Sequence, residues 1–230
     1  MKSIQRIAAL AALLSAAPLL GHAQDASLQK VYAQMDASAA KFQDVQADIS
    51  VDNFTAVVQD HQMQKGSTAF RRAGSTIEMA MTLDKGQPGE RDILYKEGQL
   101  SYYQPAAKQE TVFSAGANRA EYDSLLATGF GATSKDLIGG WDVTFQGMEA
   151  VDGIQTAKLD LVPRLSNIRN NISKLTIWVD LARDISLKQV MVQPDGDSRT
   201  VTYSNIRYNA HVSNSLFTLK VSKDTQVQRR

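Results

Sequence analysis

Between residues 66 and 105 the chain reads GSTAFRRAGSTIEMAMTLDKGQPGERDILYKEGQLSYYQP. Successive side chains point to opposite faces of a strand, so a two-residue period of apolar and polar residues marks a half-buried sheet. Thr68, Phe70 and Arg72 fall on one face, and Ile77, Met79, Met81 and Leu83 alternate with Glu78, Ala80 and Thr82. The polar run Asp84 to Gly89 turns the chain, Ile93 to Tyr95 extend it again, Glu97-Gly98 turns it, and Leu100 to Tyr103 follow. Pro105 ends the last strand because it has no N–H for a ladder bond. The stretch predicts four antiparallel strands whose apolar face needs a cover. The pattern leaves two positions open for Arg72. It points into water at a sheet rim, or it spends its five donors on backbone carbonyls of a covering element.

Helical periodicity occurs in two places. Leu28, Val31, Tyr32, Met35, Ala39 and Phe42 follow the i, i+3, i+4, i+7 spacing, which predicts a helix over 25–42 capped by Asp25 or Ser27. Asn118 with Glu121 has the spacing of a capping box; Tyr122, Leu125 and Leu126 continue a stripe, and Thr133 to Ile138 read as a second short helix before Gly139-Gly140. The helical insert therefore covers about 118–138 of an otherwise β chain.

Elsewhere the two-residue period dominates. Strands are expected at 46–57, 58–65, 111–114, 141–149, 154–161, 175–179, 187–193, 199–208 and 216–221, with Asp152-Gly153 a strong hairpin signal. Trp141, Val143 and Phe145 share one face, as do Phe217, Leu219 and Val221. Residues 164–172 read as a polar loop. The expected architecture is mainly β with a few helices: an incomplete antiparallel barrel of about ten or eleven strands, since a sheet this long must curl or close.

The first 23 residues have the form of a secretory signal peptide, with Lys2 and Arg6 ahead of an apolar run and Gly21-His22-Ala23 as the cleavage site. Cleavage leaves a single domain, 24–230, with 23 basic and 24 acidic residues. That balance speaks against nucleic acid as a partner. With no cysteine in the chain, disulfides, thiol chemistry and a lipid-modified N-terminal Cys are excluded.

Motifs of catalysis are missing: there is no G-x-S-x-G, H-E-x-x-H or P-loop. Gly129-Phe130-Gly131 lacks the third glycine of a dinucleotide turn. His61 and His211 stand apart in polar surroundings, and Asp195-Gly196-Asp197 reads as a turn and not as a calcium loop. The residues predict a binding protein without cofactor or metal, not an enzyme.

Taken together, several of these features resemble the periplasmic outer-membrane lipoprotein carrier family, LolA. Gly66 to Ala73 is similar to the family's G-x-x-x-x-K-R-P element, with Arg71 at the Lys place, Arg72 at the Arg place and Ala73 where the family has Pro. Glu97 to Pro105 is similar to its D-G-x-x-L-W-x-Y-x-P element, and Leu159, Leu161 and Pro163 match L-x-L-x-P. The resemblance implies a helical lid, here 28–42 and 118–138, over an apolar cavity. It implies that Arg72 bonds lid backbone and holds the empty cavity closed. It implies a monomer in the periplasm that takes acylated lipoprotein from an inner-membrane ABC transporter complex and delivers it to an outer-membrane receptor. The cavity lining expected on this reading is Phe70, Ile77, Met79, Met81, Leu83, Tyr102, Trp141, Val143 and Phe145. The alternative is a lipid-binding or envelope-stress-sensing protein of the same fold that transports nothing.

Overall fold

The computed structural model describes residues 19–74, 76–116 and 119–230. The signal-peptide residues 1–18 lie outside that range, as does Asn118 of the expected capping box; the side chains of Glu121 and Tyr122 are likewise not described. The chain opens with helix α1 (Leu19–Ala39). Six strands follow: β1 (Asp44–Thr55), β2 (Asp60–Ala73), β3 (Thr76–Leu83), β4 (Arg91–Lys96), β5 (Gln99–Gln104) and β6 (Gln109–Ser114). Helices α2 (Arg119–Ala127) and α3 (Ser134–Gly140) form the insert. Then come β7 (Trp141–Val151), β8 (Ile154–Pro163), the short helix α4 (Ser166–Arg169), β9 (Lys174–Asp180), β10 (Ile185–Val192), β11 (Ser198–Tyr208) and β12 (Gln226–Arg229).

All twelve strands belong to one sheet, in the order β12-β6-β5-β4-β3-β2-β1-β11-β10-β9-β8-β7. The end strands β12 and β7 do not pair with each other, so the barrel stays incomplete. Each pair is antiparallel except β12 with β6, which runs parallel. α1, α2 and α3 lie over the concave face, which carries the apolar core from Val45 and Ile49 through Phe70 and Met79 to Leu159 and Ile177.

Four expectations change. The helix expected over 25–42 spans Leu19–Ala39, so Asp25 and Ser27 lie within it and not at its cap, and the expected polar loop 164–172 contains α4. The 58–65 strand and the first strand of the meander are one continuous β2, because it pairs with β1 without interruption from Asp60 to Arg71; the turn between β1 and β2 spans 56–59, with Gln59 at φ 52°. Residues 216–221 are not a strand. The chain there makes a single 3-10 turn, Asn214–Phe217, and then runs irregularly over the convex face of β3–β5. Between that strap and the sheet lies a groove of about 580 Å³, lined by Ala80, Thr82, Leu94, Tyr103, Leu216 and Val221 among others.

Gly66 shows why β2 can run through the middle of so curved a sheet. It sits opposite Ile49 and Leu83, and a Cβ there would lie 1.9 Å from the Thr82 carbonyl oxygen. Only the residue without a side chain lets β2 and β3 approach so closely.

Candidate functional site: a lidded concave face

Strand register decides which side chains share the concave face. Phe70 is opposite Met79, Arg72 opposite Ile77, and Gly66 opposite Leu83. Met81 is opposite Ile93, which is opposite Tyr102. At the other edge Val143 faces Leu161 and Phe145 faces Leu159, with Trp141 one pleat further along. The nine expected lining residues therefore lie on the same side of one sheet. Phe70, Ile77, Met79, Leu83 and Trp141 are buried in the common core; Met81, Val143 and Phe145 are half-buried against it. Tyr102 is half-buried and stands nearer the end remote from the lid.

The lid is held at its linker. Thr133 caps α3 in a capping box with Asp136, the box falling at this helix. Ahead of it, Gly129-Phe130-Gly131 turns through φ 87° and φ 70° at its two glycines. This puts the Phe130 ring flat on Phe70, centroids 4.0 Å apart, and edge-on to Tyr203 at 5.0 Å. Phe130 is 2% exposed. It fills the concave face between Phe70 of β2 and Tyr203 of β11. A Cβ on Gly131 would come within 2.5 Å of the Phe42 ring, so the turn has room for glycine alone.

Hydrogen bonds complete the closure. Gly131 N–H donates to the Asp184 carbonyl at 2.9 Å and Ser186 N–H to the Gly129 carbonyl at 2.6 Å, tying the linker to the start of β10. Arg72 Nη2 donates to the Gly131 carbonyl at 2.7 Å. Ser134 donates from N and Oγ to the Asp36 carboxylate, at 2.7 and 2.8 Å, which joins α3 to α1.

Beneath that joint sits Asp184, fully buried, with neither carboxylate oxygen hydrogen-bonded among the described residues. Burial, and after it the negative charge of Asp36, raises its pKa to about 8; Asp136 adds to this and Arg72 opposes it. Burial also raises the hydroxyl pKa of Tyr203. Asp184 is protonated at neutral pH, which is how a buried acid without a partner avoids carrying charge.

The residue preceding Arg72 points the other way. On the convex face Arg71 Nε donates to Glu78 Oε2 at 2.6 Å, Nη1 donates to Asn214 Oδ1, and the guanidinium lies 4.1 Å from the centre of the Phe217 ring. The basic pair thus serves two covers, the lid inside and the C-terminal strap outside.

Phe130, Asp184 and the Asn214–Phe217 strap do not emerge from the sequence. The flanking glycines of Phe130 were the available signal, because two glycines around one aromatic mark a turn that aims a ring. Among the described residues there is no group of three or more His, Asp or Glu that could hold a metal, and no helix long and apolar enough to cross a membrane.

No sequence-family profile and no curated protein matches the chain. Solved structures do. An uncharacterized conserved protein from Thermus thermophilus is 12% identical over 89% of this chain and 99% of its own, with a TM-score of 0.54. MucB is 12% identical over 85% of this chain and 63% of MucB, with a TM-score of 0.51. A LolA superfamily protein from Nitrosomonas europaea aligns at 13% identity over 83% of this chain and 97% of its own, with a TM-score of 0.41. Identities this low speak to fold alone. The fold shared with the Thermus thermophilus protein and with MucB is an open curled sheet with helices across its concave face.

Proposed function

We propose that the protein is an exported carrier, not a catalyst, which opens its lid to take acyl chains onto the concave face. One observation carries the reading: a continuous apolar face is covered by helices whose linker is pinned by a side-chain hydrogen bond from Arg72 and by one aromatic plug, Phe130. The cargo that fits the resemblance best is the acylated N-terminus of a lipoprotein, passed from an inner-membrane ABC transporter complex to an outer-membrane receptor across the periplasm.

The energetics suit handover. Each buried methylene is worth about 0.8 kcal/mol, so three chains of ~15 methylenes release about 35 kcal/mol from water. Useful affinities end near ~20 kcal/mol. A carrier therefore does not need to shield its chains completely, and an adaptable surface of Met and aromatic residues serves well.

The test is release of a tagged triacylated lipoprotein from spheroplasts by the purified 24–230 protein. The carrier reading expects a soluble one-to-one complex, and expects Arg72→Leu to take up cargo but hand it on poorly. Absence of any release, with lipid nonetheless co-purifying, would leave lipid binding and remove the lipoprotein. The second reading is a lipid-binding envelope sensor of the same fold, for which an acyl-loaded protein would bind a partner protein and release nothing.

A further inference from the structure

The cover and the sheet meet at the turn between β9 and β10. From α1, Ser38 Oγ donates to the Leu181 carbonyl at 2.8 Å and to the Ala182 carbonyl at 3.3 Å. From the linker, Phe130 forms an antiparallel bridge with Ile185, and Ser186 N–H donates to the Gly129 carbonyl at 2.6 Å. From β2, Arg72 holds the Gly131 carbonyl, and Gly131 N–H donates to the Asp184 carbonyl. These fastenings end on Asp184 or within three residues of it.

Two acids of this turn differ in kind. Asp180 accepts from Ala182 N at 2.9 Å and from Arg183 Nε at 2.7 Å. Asp184 is 0% exposed, and neither of its carboxylate oxygens has a hydrogen-bond partner among the described residues. The charges that act on it come from the cover and from the sheet: Asp36 of α1, Asp136 of α3 and Arg72 of β2, while Tyr208 of β11 feels the charge of Asp184 itself. Two of those three charges are negative, and Arg72 is engaged with Gly131. A carboxyl group buried there without a bond is costly to ionise, so the closed joint keeps it neutral. Its pKa of about 8 has the same causes, burial first.

We propose that Asp184 couples the lid to a proton, which it holds while the lid is closed and gives to water when the lid lifts for an acyl ligand. The proposal rests on the acyl-carrier reading above and specifies how that site is regulated. Lifting the 129–131 linker admits water to the carboxyl group, takes Asp36 and Asp136 away with their helices, and frees Arg72 from the Gly131 carbonyl. The Asp184 O–H bond then breaks, the proton goes to solvent and the electron pair stays on the carboxylate. Arg72, released at the same moment, pairs with that carboxylate through charge-assisted hydrogen bonds. An exposed Asp carboxyl titrates near pH ~4. The proton therefore stabilises the closed lid fully below about pH 4, and that effect is lost as pH rises toward 8. By linkage, ligand affinity rises over the same range, and ligand uptake drives the proton off.

The experiment is direct titration of the purified 24–230 chain with a short-chain fluorescent diacylglycerol that has no ionising group. Affinity is measured from about pH 5 to about pH 8, and released protons are counted in weakly buffered solution. The proposal expects about one proton released per lipid bound between about pH 5 and about pH 7, with affinity rising about tenfold per pH unit. Asp184→Asn keeps the joint neutral at every pH. It should release no proton and bind throughout about as weakly as the unaltered chain does near pH ~5. Asp36→Asn removes a negative charge that raises the Asp184 pKa, and should move the upper bend of the pH profile to lower pH. Thermal melting checks that the variants fold; should Asp184→Asn not fold, the proton count on the unaltered chain decides. Lipid binding without proton release or pH dependence overturns the coupling and leaves acyl binding standing. A pH dependence that survives Asp184→Asn, or affinity that falls as pH rises, overturns the assignment to Asp184. Absence of lipid binding at every pH overturns the acyl reading and this proposal with it.

Discussion

Arg71 and Arg72 are neighbours in β2 that fasten two covers of different kinds. Outside, Arg71 meets a buried carboxylate, an Asn side chain and an aromatic ring, so the strap is held by several bonds around one charge. Inside, Arg72 reaches a single backbone carbonyl, and the rest of the fastening is spread over the Phe130 stack, backbone bonds of the linker, Ser38 Oγ donating to the Leu181 carbonyl at 2.8 Å, Gln189 Nε2 donating to the Thr128 carbonyl at 3.2 Å, and the Tyr95 hydroxyl donating to Asp123. Removing the partner of a buried ion costs about 3 kcal/mol or more, whereas one hydrogen bond to a neutral carbonyl is worth about 1–2 kcal/mol. The proposed acyl carrier needs that asymmetry: a strap that stays and a lid that lifts.

The largest predicted effect breaks the strand that both covers share. Gly66→Ala should lower unfolding free energy by about 4 kcal/mol, because the new methyl meets the Thr82 carbonyl oxygen, and chemical denaturation reads it. Arg71→Ala should cost about 3 kcal/mol by leaving Glu78, 6% exposed, without its partner. In the same variant limited proteolysis should cut first in the 213–225 strap. Asp184→Asn sharpens the inner side. Asp184 keeps its proton in the fold up to about pH 8 but loses it near pH 4 when unfolded. Its contribution is therefore fully present below about pH 4 and is lost as pH rises toward 8. Asn is neutral, nearly isosteric and tolerant of the φ of 53° at this position. Asp184→Asn should bring no gain in stability below pH 4 and a gain that grows as pH rises to 8, measured by denaturation across pH. Arg72→Leu should have the smallest effect on stability, about 1 kcal/mol, yet the largest on uptake of an apolar dye.

Legibility in the sequence followed the range of the interaction. The alternation from Ile77 to Leu83 and the Asp152-Gly153 turn are written in adjacent residues, and both appear where expected, the latter with Asp152 at φ 47° and Gly153 at φ 78°. Faces were readable for the same reason: once the strands are placed, register puts Phe70, Met79, Val143 and Phe145 on one side. The plug was not readable, because Phe130 acquires its meaning from Phe70, sixty residues before it, and Tyr203, far after it. Leu216 to Val221 alternate like a strand, yet Arg71 and Phe217 hold that segment over the sheet's outer face and it gains no ladder partner. Asp184 looks like any turn acid until the fold closes the lid over it.

The central claim is that the lid lifts to admit acyl chains while the strap stays down. Hydrogen exchange measured with and without a diacyl lipid tests it directly. The account predicts that lipid speeds exchange at the amides of Gly131 and Ser186, whose bonds tie the linker to β10, while the strap residues and the β1–β2 ladder keep their protection. Lipid binding that leaves those two amides as protected as before, or that loosens the strap instead, would contradict it.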